Sequence, residues 1–258
     1  MVLRPNELLR LSEKSQHVQK MFDKIADRYD LLNRLLSARQ DVRWRKALAK
    51  SLPAQADKCG VLYDVACGTG DVILTVAKMR SDYSQIRGFD ISFEMLRRGE
   101  VRPDVGKWLR KSSINCTYTQ ASAEALPVEN ESAHAVSIAF GLRNVDNREQ
   151  AVREMFRVLK PGGRLLVLEF FQPHSSAFAK VFDFYFTNVL PKVGGLISDK
   201  AAYQYLPASV GTMPSAEGFA QTLRECGYIN ITQQMWLSGA TRLFIADKPI
   251  KPHMGAIS

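Results

Sequence analysis

The chain has 258 residues, 46% hydrophobic and 24% charged, with a formal net charge of +9 at neutral pH. This is the composition of a soluble globular protein, and no uninterrupted apolar stretch reaches the roughly 18 to 20 residues that cross a bilayer. Four scattered cysteines, Cys59, Cys67, Cys116 and Cys226, form no CxxC pair and have no histidine at metal-ligand spacing, so free thiols and a reducing compartment are expected.

The start, MVLRPNELLRLSEKSQ, has no apolar signal core, and Glu7 and Glu13 argue against an acid-poor transit peptide, so the reading is cytoplasmic. The first 50 residues hold 12 basic and 6 acidic side chains, which places most of the excess charge there. That segment is either a solvated basic face or a surface that meets anionic lipid, peripheral to a membrane. Residues 15–50 read as helical, with Val18, Met21, Phe22 and Ile25 at steps of three and four and no glycine or proline before Pro53. Residues 1–55 are expected as an N-terminal helical cap on a single domain spanning 1–258.

From residue 61 the pattern changes. VLYDVA, IRGFDIS, CTYTQA, HAVSIAFG and RLLVLEF read as strands, separated by helices from about 71, from about 93 and over 147–159, the last ended by KPGG. Strands alternating with helices give a parallel sheet with helices on both faces. After Phe171 the rhythm breaks into an aromatic-rich segment, and 172–210 is expected as a substrate-side insertion. A helix at about 215–226 follows. ITQQMWL and ATRLFIADK, separated by Ser238-Gly239, read as closing strands that pair antiparallel.

YDVACGTGD, Tyr63 to Asp71, lies between the first strand and the first helix, where an open α/β sheet binds a nucleotide-like ligand. It lacks the GKS/T of a P-loop and the third glycine of a dinucleotide fingerprint. Gly68 and Gly70 allow close approach to the backbone, and Asp90, 20 residues beyond Gly70, is placed to take both hydroxyls of a ribose. A single GxG suits adenosine carrying something other than a diphosphate, such as the methionine tail of S-adenosylmethionine, whose ammonium Asp64 orients through water. QASAEALP after the third strand would lie beside the adenine, with Ser122 and the Ala123 amide as polar contacts.

These residues resemble the class I S-adenosylmethionine-dependent methyltransferases, and within them the ubiquinone/menaquinone C-methyltransferase family. The most specific pieces are YDLLNRLLS (29–37) with Arg43 and Trp44, DVACGTGD, FDISFEML, AEALP, AFGLRNV, REMFRVLKPGGRLLVLEF and YQYL. The resemblance implies a Rossmann-like sheet of seven strands, mostly parallel with the last antiparallel. It also implies methyl transfer to a ring carbon of a polyprenylated hydroquinone, such as demethylmenaquinol or 2-methoxy-6-polyprenyl-1,4-benzoquinol, no metal, and a homodimer. By motif match the cofactor contacts fall on Thr69, Asp90, Ser122 and Ala123. Three positions depart from the family pattern: Asp41 replaces a histidine, Phe171 a serine after LEF, and Ala139 a serine before FGLRNV.

Arg143 and Asn144 end the fourth strand beside the glycine loop, where acceptor and sulfonium would meet. A hydroquinone carbon becomes nucleophilic when the neighbouring hydroxyl loses its proton, and arginine and asparagine both donate hydrogen bonds to a phenolate. Arginine is too basic to act as an ordinary general base, so the expected role is electrostatic, with Tyr29 completing the catalytic group. The other reading pairs Arg143 with Asp146 or Glu169 and makes Asn144 the cap of the next helix. The aromatics Phe170, Phe171, Phe178, Phe182, Phe184 and Tyr185 serve either as core or as a channel for an apolar acceptor.

Rival readings are a methyltransferase acting on another small phenol and a non-catalytic S-adenosylmethionine-binding scaffold. No nucleic acid is expected as partner, because neither an NPPY-like nor a Pro-Cys motif is present.

Overall fold

The computed structural model describes residues 2–3, 12–26, 37, 39–172 and 209–250. Tyr29 and nearly all of the 172–210 insertion, including Phe178, Phe182, Phe184 and Tyr185, lie outside the described residues.

In chain order the elements are β1 (Val2–Leu3), α1 (Glu13–Ile25), α2 (Gln40–Ser51), β2 (Gly60–Val65), α3 (Asp71–Met79), β3 (Tyr83–Asp90), α4 (Phe93–Val101) and α5 (Pro103–Ser112). Then come β4 (Asn115–Gln120), β5 (Ala133–Ala139), α6 (Arg148–Val158), β6 (Leu159–Phe170), α7 (Ala216–Glu225), β7 (Ile229–Trp236) and β8 (Thr241–Asp247). The sheet order is β1-β4-β3-β2-β5-β6-β8-β7. The seven expected strands are all present, and β8 runs antiparallel to both of its neighbours. The two-residue β1 adds itself parallel to β4 at the far edge.

Alternation along the strands divides the core into two layers, because successive side chains in a strand point to opposite faces. Tyr63, Val65, Leu165 and Val167 pack under α6 and α7, with Met155 and Phe219. Leu62, Leu166 and Leu168 pack under α2, α3 and α5, with Trp44, Leu48 and Val105. β2 hydrogen-bonds to β3 on one side and β5 on the other. The crossovers leave β2 in opposite directions there, which opens a crevice at the strands' carboxyl ends.

Two details differ from the sequence reading. The helical stretch expected over 15–50 contains two separate described helices, and Arg39, with φ 62, precedes the second in a left-handed conformation. KPGG does more than end α6. Ala133 pairs with Leu159 but Ala135 pairs with Arg164, so β6 spends five residues against two on β5. A Cβ at Gly163 would lie 2.8 Å from the Lys160 carbonyl, which explains the glycine there.

Candidate active site

The crevice holds a cavity of about 680 Å³, counted with its open mouth. Its walls include Gly68, Asp90, Ser122, Ala123 and Asn144. Five candidates from the sequence therefore converge on one space. Asp64, Thr69, Gly70 and Arg143 lie around it, outside the lining.

The glycine loop is built by backbone geometry. Gly68 and Gly70 have φ of 54 and 87. A Cβ at Gly70 would sit 2.7 Å from the Tyr118 hydroxyl, so that position needs glycine for space as well as for its backbone. Gly70 opens α3 without a side-chain cap. Thr69 is turned toward Arg102, whose Nη1 donates to its hydroxyl at 3.2 Å. Behind the loop runs a chain of buried charge. Arg45 Nη1 bridges Asp41 at 2.5 Å and Asp71 at 3.1 Å, and Arg102 reaches the other oxygen of Asp71 at 2.8 Å. Asp41, one of the three departures from the family pattern, is thus the far end of this chain and also accepts from Ser37 at 2.7 Å.

The two acidic candidates are held differently. Asp90 accepts from the Gly68 amide through Oδ2 and from the Ser92 amide through Oδ1, both at 2.8 Å. A carboxylate has about four acceptor sites, so each oxygen keeps one for a ligand hydroxyl. Burial raises its pKa to about 6, against the pull of those two amides. Asp64 accepts, among the described residues, from Ser137 alone, at 2.7 Å through Oδ1. Its Oδ2 is buried and has no partner among the described residues. Burial pushes this carboxyl up to about 7, although Ser137 and Arg45 pull it down.

Ser122 and Glu124 close the AEALP turn on each other, the hydroxyl donating to Glu124 Oε2 at 3.0 Å. Across the top lies α1, contributing Ser15, Val18 and Phe22 to the cavity wall. It is fastened at both ends: Lys14 Nζ lies 3.4 Å from Asp146, and Asp23 accepts from the Ser92 hydroxyl. The apolar spacing of α1 was visible in the sequence, but its docking over the crevice was not.

At the end of β5, Arg143 is engaged with Glu169 rather than Asp146. Its Nη1 donates to Glu169 Oε1 at 2.7 Å and to the Phe140 carbonyl at 2.6 Å. Asn147, not Asn144, caps α6, accepting from the Gln150 amide. Asn144 instead faces the cavity, and its Oδ1 has no partner among the described residues. Phe140, Phe170, Trp44 and Trp236 form an aromatic cluster beside this turn, with the Phe140 and Phe170 rings 4.8 Å apart.

A glycine loop, a carboxylate at the end of the neighbouring strand and a crevice at the sheet's switch point are the features of a class I methyltransferase. Solved structures share the fold: an S-adenosylmethionine-dependent methyltransferase from Thermotoga maritima aligns over 90% of this chain and all of its own, with TM-score 0.59 and 18% identity. The [4+2]-cyclase SpnF aligns as well, with TM-score 0.60 and 18% identity over 92% of this chain and 96% of its own, so the fold alone does not fix the chemistry.

Sequence is more discriminating. The ubiE/COQ5 methyltransferase family matches residues 10–248, and the chain belongs to that family. Among its relatives, the ubiquinone/menaquinone biosynthesis C-methyltransferase of Syntrophotalea carbinolica is 42% identical over 89% of this chain and 93% of its own. The demethylmenaquinone methyltransferase of Thermus thermophilus is 39% identical over 89% of this chain and 100% of its own.

Proposed function

We propose that the protein transfers a methyl group from S-adenosylmethionine to a ring carbon of a polyprenylated hydroquinone, a demethylmenaquinol or a 2-methoxy-6-polyprenyl-1,4-benzoquinol. The observation that carries this is Asn144, which lines the cofactor cavity at the end of β5 with no partner for its Oδ1 among the described residues, in a family of quinone methyltransferases.

The residues suit the cofactor. Asp90 keeps acceptor capacity on both oxygens for vicinal hydroxyls, and Asp64, buried just behind the cavity wall with its Oδ2 unpartnered among the described residues, suits an ammonium held through a water. The bound cofactor supplies an electrophilic methyl, and the ring carbon takes it as the carbon–sulfur bond breaks and then loses its own proton. What the chain contributes is placement and charge. The Asn144 amide donates through Nδ2 to the acceptor oxygen, directly or through a water, which favours the phenolate over the phenol, and Arg143, paired with Glu169, holds that turn from behind. α1 keeps water from the crevice. Tyr29, outside the described residues, is proposed to complete this catalytic group with its phenol.

An acceptor of this kind resides in lipid, and the surface beside the aromatic cluster is suited to meeting it. Arg39, Arg43, Lys46 and Lys50 are exposed along α2, on the side opposite Trp44 and Leu48. Lys78 of α3 and Lys107, Arg110 and Lys111 of α5 are exposed on the same side of the sheet. A basic residue close to an anionic membrane contributes about 1 kcal/mol. The proposed membrane contact is therefore centred on α2 rather than spread along the N-terminal segment. Reversing two charges with Lys46→Glu and Lys50→Glu is expected to lower co-sedimentation with phosphatidylglycerol vesicles by at least about tenfold, from two such contributions.

The reaction is tested with purified protein, radiolabelled S-adenosylmethionine and short-chain, chemically reduced forms of the two acceptors. Label extracted into the lipid phase with either acceptor supports the reading and names the substrate. Label in neither, with the cofactor bound, rejects it in favour of another acceptor or a scaffold.

A further inference from the structure

The turn that carries Arg143 and Asn144 is held by one side chain from another strand. Glu169, the penultimate residue of β6, is wholly buried. Its Oε1 accepts from Arg143 Nη1 at 2.7 Å and from the Phe170 amide at 2.8 Å, while Oε2 accepts from the Arg143 amide at 3.2 Å. One carboxylate thus takes both the backbone and the side chain of Arg143. The same Arg143 nitrogen that meets Glu169 also donates to the Phe140 carbonyl. Phe140 has φ 58, a left-handed conformation that a bulky side chain rarely adopts, and its amide donates to Leu168 at 2.7 Å. Such a conformation persists only where its surroundings over-determine it, and these bonds from β6 and Arg143 do so.

We propose that Glu169 is a positioning residue for methyl transfer: through Arg143 it locks the Phe140–Asn144 turn and so aims the Asn144 side chain at the acceptor. This deepens the quinol-methyltransferase reading and rests on it for its kinetic arm. Two atoms at the turn remain buried without partners among the described residues, Arg143 Nε and Asn144 Oδ1, in side chains more than nine-tenths buried. Other described bonds of the turn, from the Asn144 amide to Gly141, from the Val145 amide to Leu142 and from Arg148 Nη2 to Arg143, end on backbone carbonyls and leave the Asn144 side chain free to bond a substrate. Arg143 therefore acts from behind the site, consistent with its place outside the cavity wall.

Glutamine at 169 offers one strong acceptor and an NH₂ to three donors, so the brace cannot be rebuilt by rotation. Lysine at 143 keeps the cation, but its Nζ ends one bond short of the Nη1 that now meets both Glu169 and the Phe140 carbonyl, so it cannot make both bonds from the same place.

The test measures Glu169→Gln, Arg143→Lys and the double variant with the reduced acceptor that the wild type methylates. Each single change is expected to lower kcat by about 10- to 100-fold, with the S-adenosylmethionine Kd changed less than about threefold, as for supporting residues around a site. The double variant should fall no more than about threefold below the worse single one, because both changes cut the same brace. Near-normal kcat in Arg143→Lys, or fully additive losses, overturns the proposal, and Arg143→Lys decides alone if Glu169→Gln does not fold.

Amide hydrogen exchange supplies an arm independent of the acceptor. Exchange at Arg143 and Phe170 should quicken at least about tenfold in Glu169→Gln, with the Gly68 amide unchanged. If those two amides stay protected, the brace is wrong whatever the kinetics. If the wild type methylates neither acceptor, the functional reading fails while exchange still judges the brace.

Discussion

The glycine loop and the turn after β5 leave neighbouring parallel strands, and they come so close that a Cβ at Gly141 would lie 2.4 Å from the Cβ of Ala66. They are stabilised in different ways. The loop takes its shape from Ala66, Gly68 and Gly70, all with positive φ, and from the Gly68 amide that bonds Asp90, with the Asp41–Arg45–Asp71–Arg102 charges packed behind it. The turn carries a phenylalanine in a conformation that suits glycine and holds it with a buried ion pair from β6. Under the proposed function, the first arrangement presents fixed backbone and carboxylate groups to the cofactor and the second delivers one side chain, Asn144, to the acceptor.

This difference can be broken from several sides. Arg45→Met removes the cation between two carboxylates, and stranding buried charge in this way costs about 3 to 5 kcal/mol. The loss should appear as a lower thermal midpoint and weaker cofactor binding, because Asp71 opens α3 directly after the loop. Arg45→Lys, which keeps the charge, should recover part of both. Gly141→Ala pushes the two strand ends apart and is expected to cost about 1 to 3 kcal/mol, the range for overpacking. Cofactor affinity and turnover should fall together, since this is the point where loop and turn touch. Unimpaired cofactor binding in that variant would show that the two regions are less tightly joined than their spacing implies.

Asp64 gives the smallest effect and the sharpest sign. Its pKa rises from 3.8 to about 7 on folding, so the fold favours its neutral form. The stability this contributes is fully present below about pH 4 and is lost as pH rises through about 7. A cationic group bound at Oδ2 reverses the preference, so cofactor affinity should rise between pH 6 and 8 and binding should release a proton. Asp64→Asn should flatten that dependence and weaken binding by about tenfold at pH 8, roughly one charge-assisted hydrogen bond. It should also make the ligand-free protein more resistant to denaturant at pH 8 than the wild type. Calorimetric titration in buffers of different ionisation enthalpy reads the proton directly.

The loop was legible in the sequence because its parts are local: a strand, two glycines, a helix start, and a carboxylate 20 residues on at the next strand's end. The parallel sheet and the antiparallel final pair followed in the same way from strand spacing and a short turn. The turn was legible only in part. Arg143 and Asn144 stood out as polar residues at the end of an apolar strand. Whether Arg143 would face substrate or pair with Asp146 or Glu169 depended on a register between β5 and β6 that no local pattern encodes. The same holds for α1, whose periodicity announced a helix while its anchors, Asp23 to Ser92 and Lys14 to Asp146, join residues far apart in the chain. Asn147 rather than Asn144 as the cap of α6 is a three-residue displacement within a run where either asparagine satisfies the capping preference.

The most direct measurement of the division between loop and turn compares Asp90→Ala with Asn144→Leu, taking cofactor affinity by titration and methyl transfer by single turnover at saturating cofactor. Asp90→Ala is expected to lose affinity by at least about tenfold. Asn144→Leu should bind cofactor within about twofold of the wild type and transfer methyl about 100- to 1,000-fold more slowly, the cost of removing one donor from a developing oxyanion. Normal transfer by Asn144→Leu, or a loss confined to its cofactor affinity, would contradict the assignment of the turn to the acceptor.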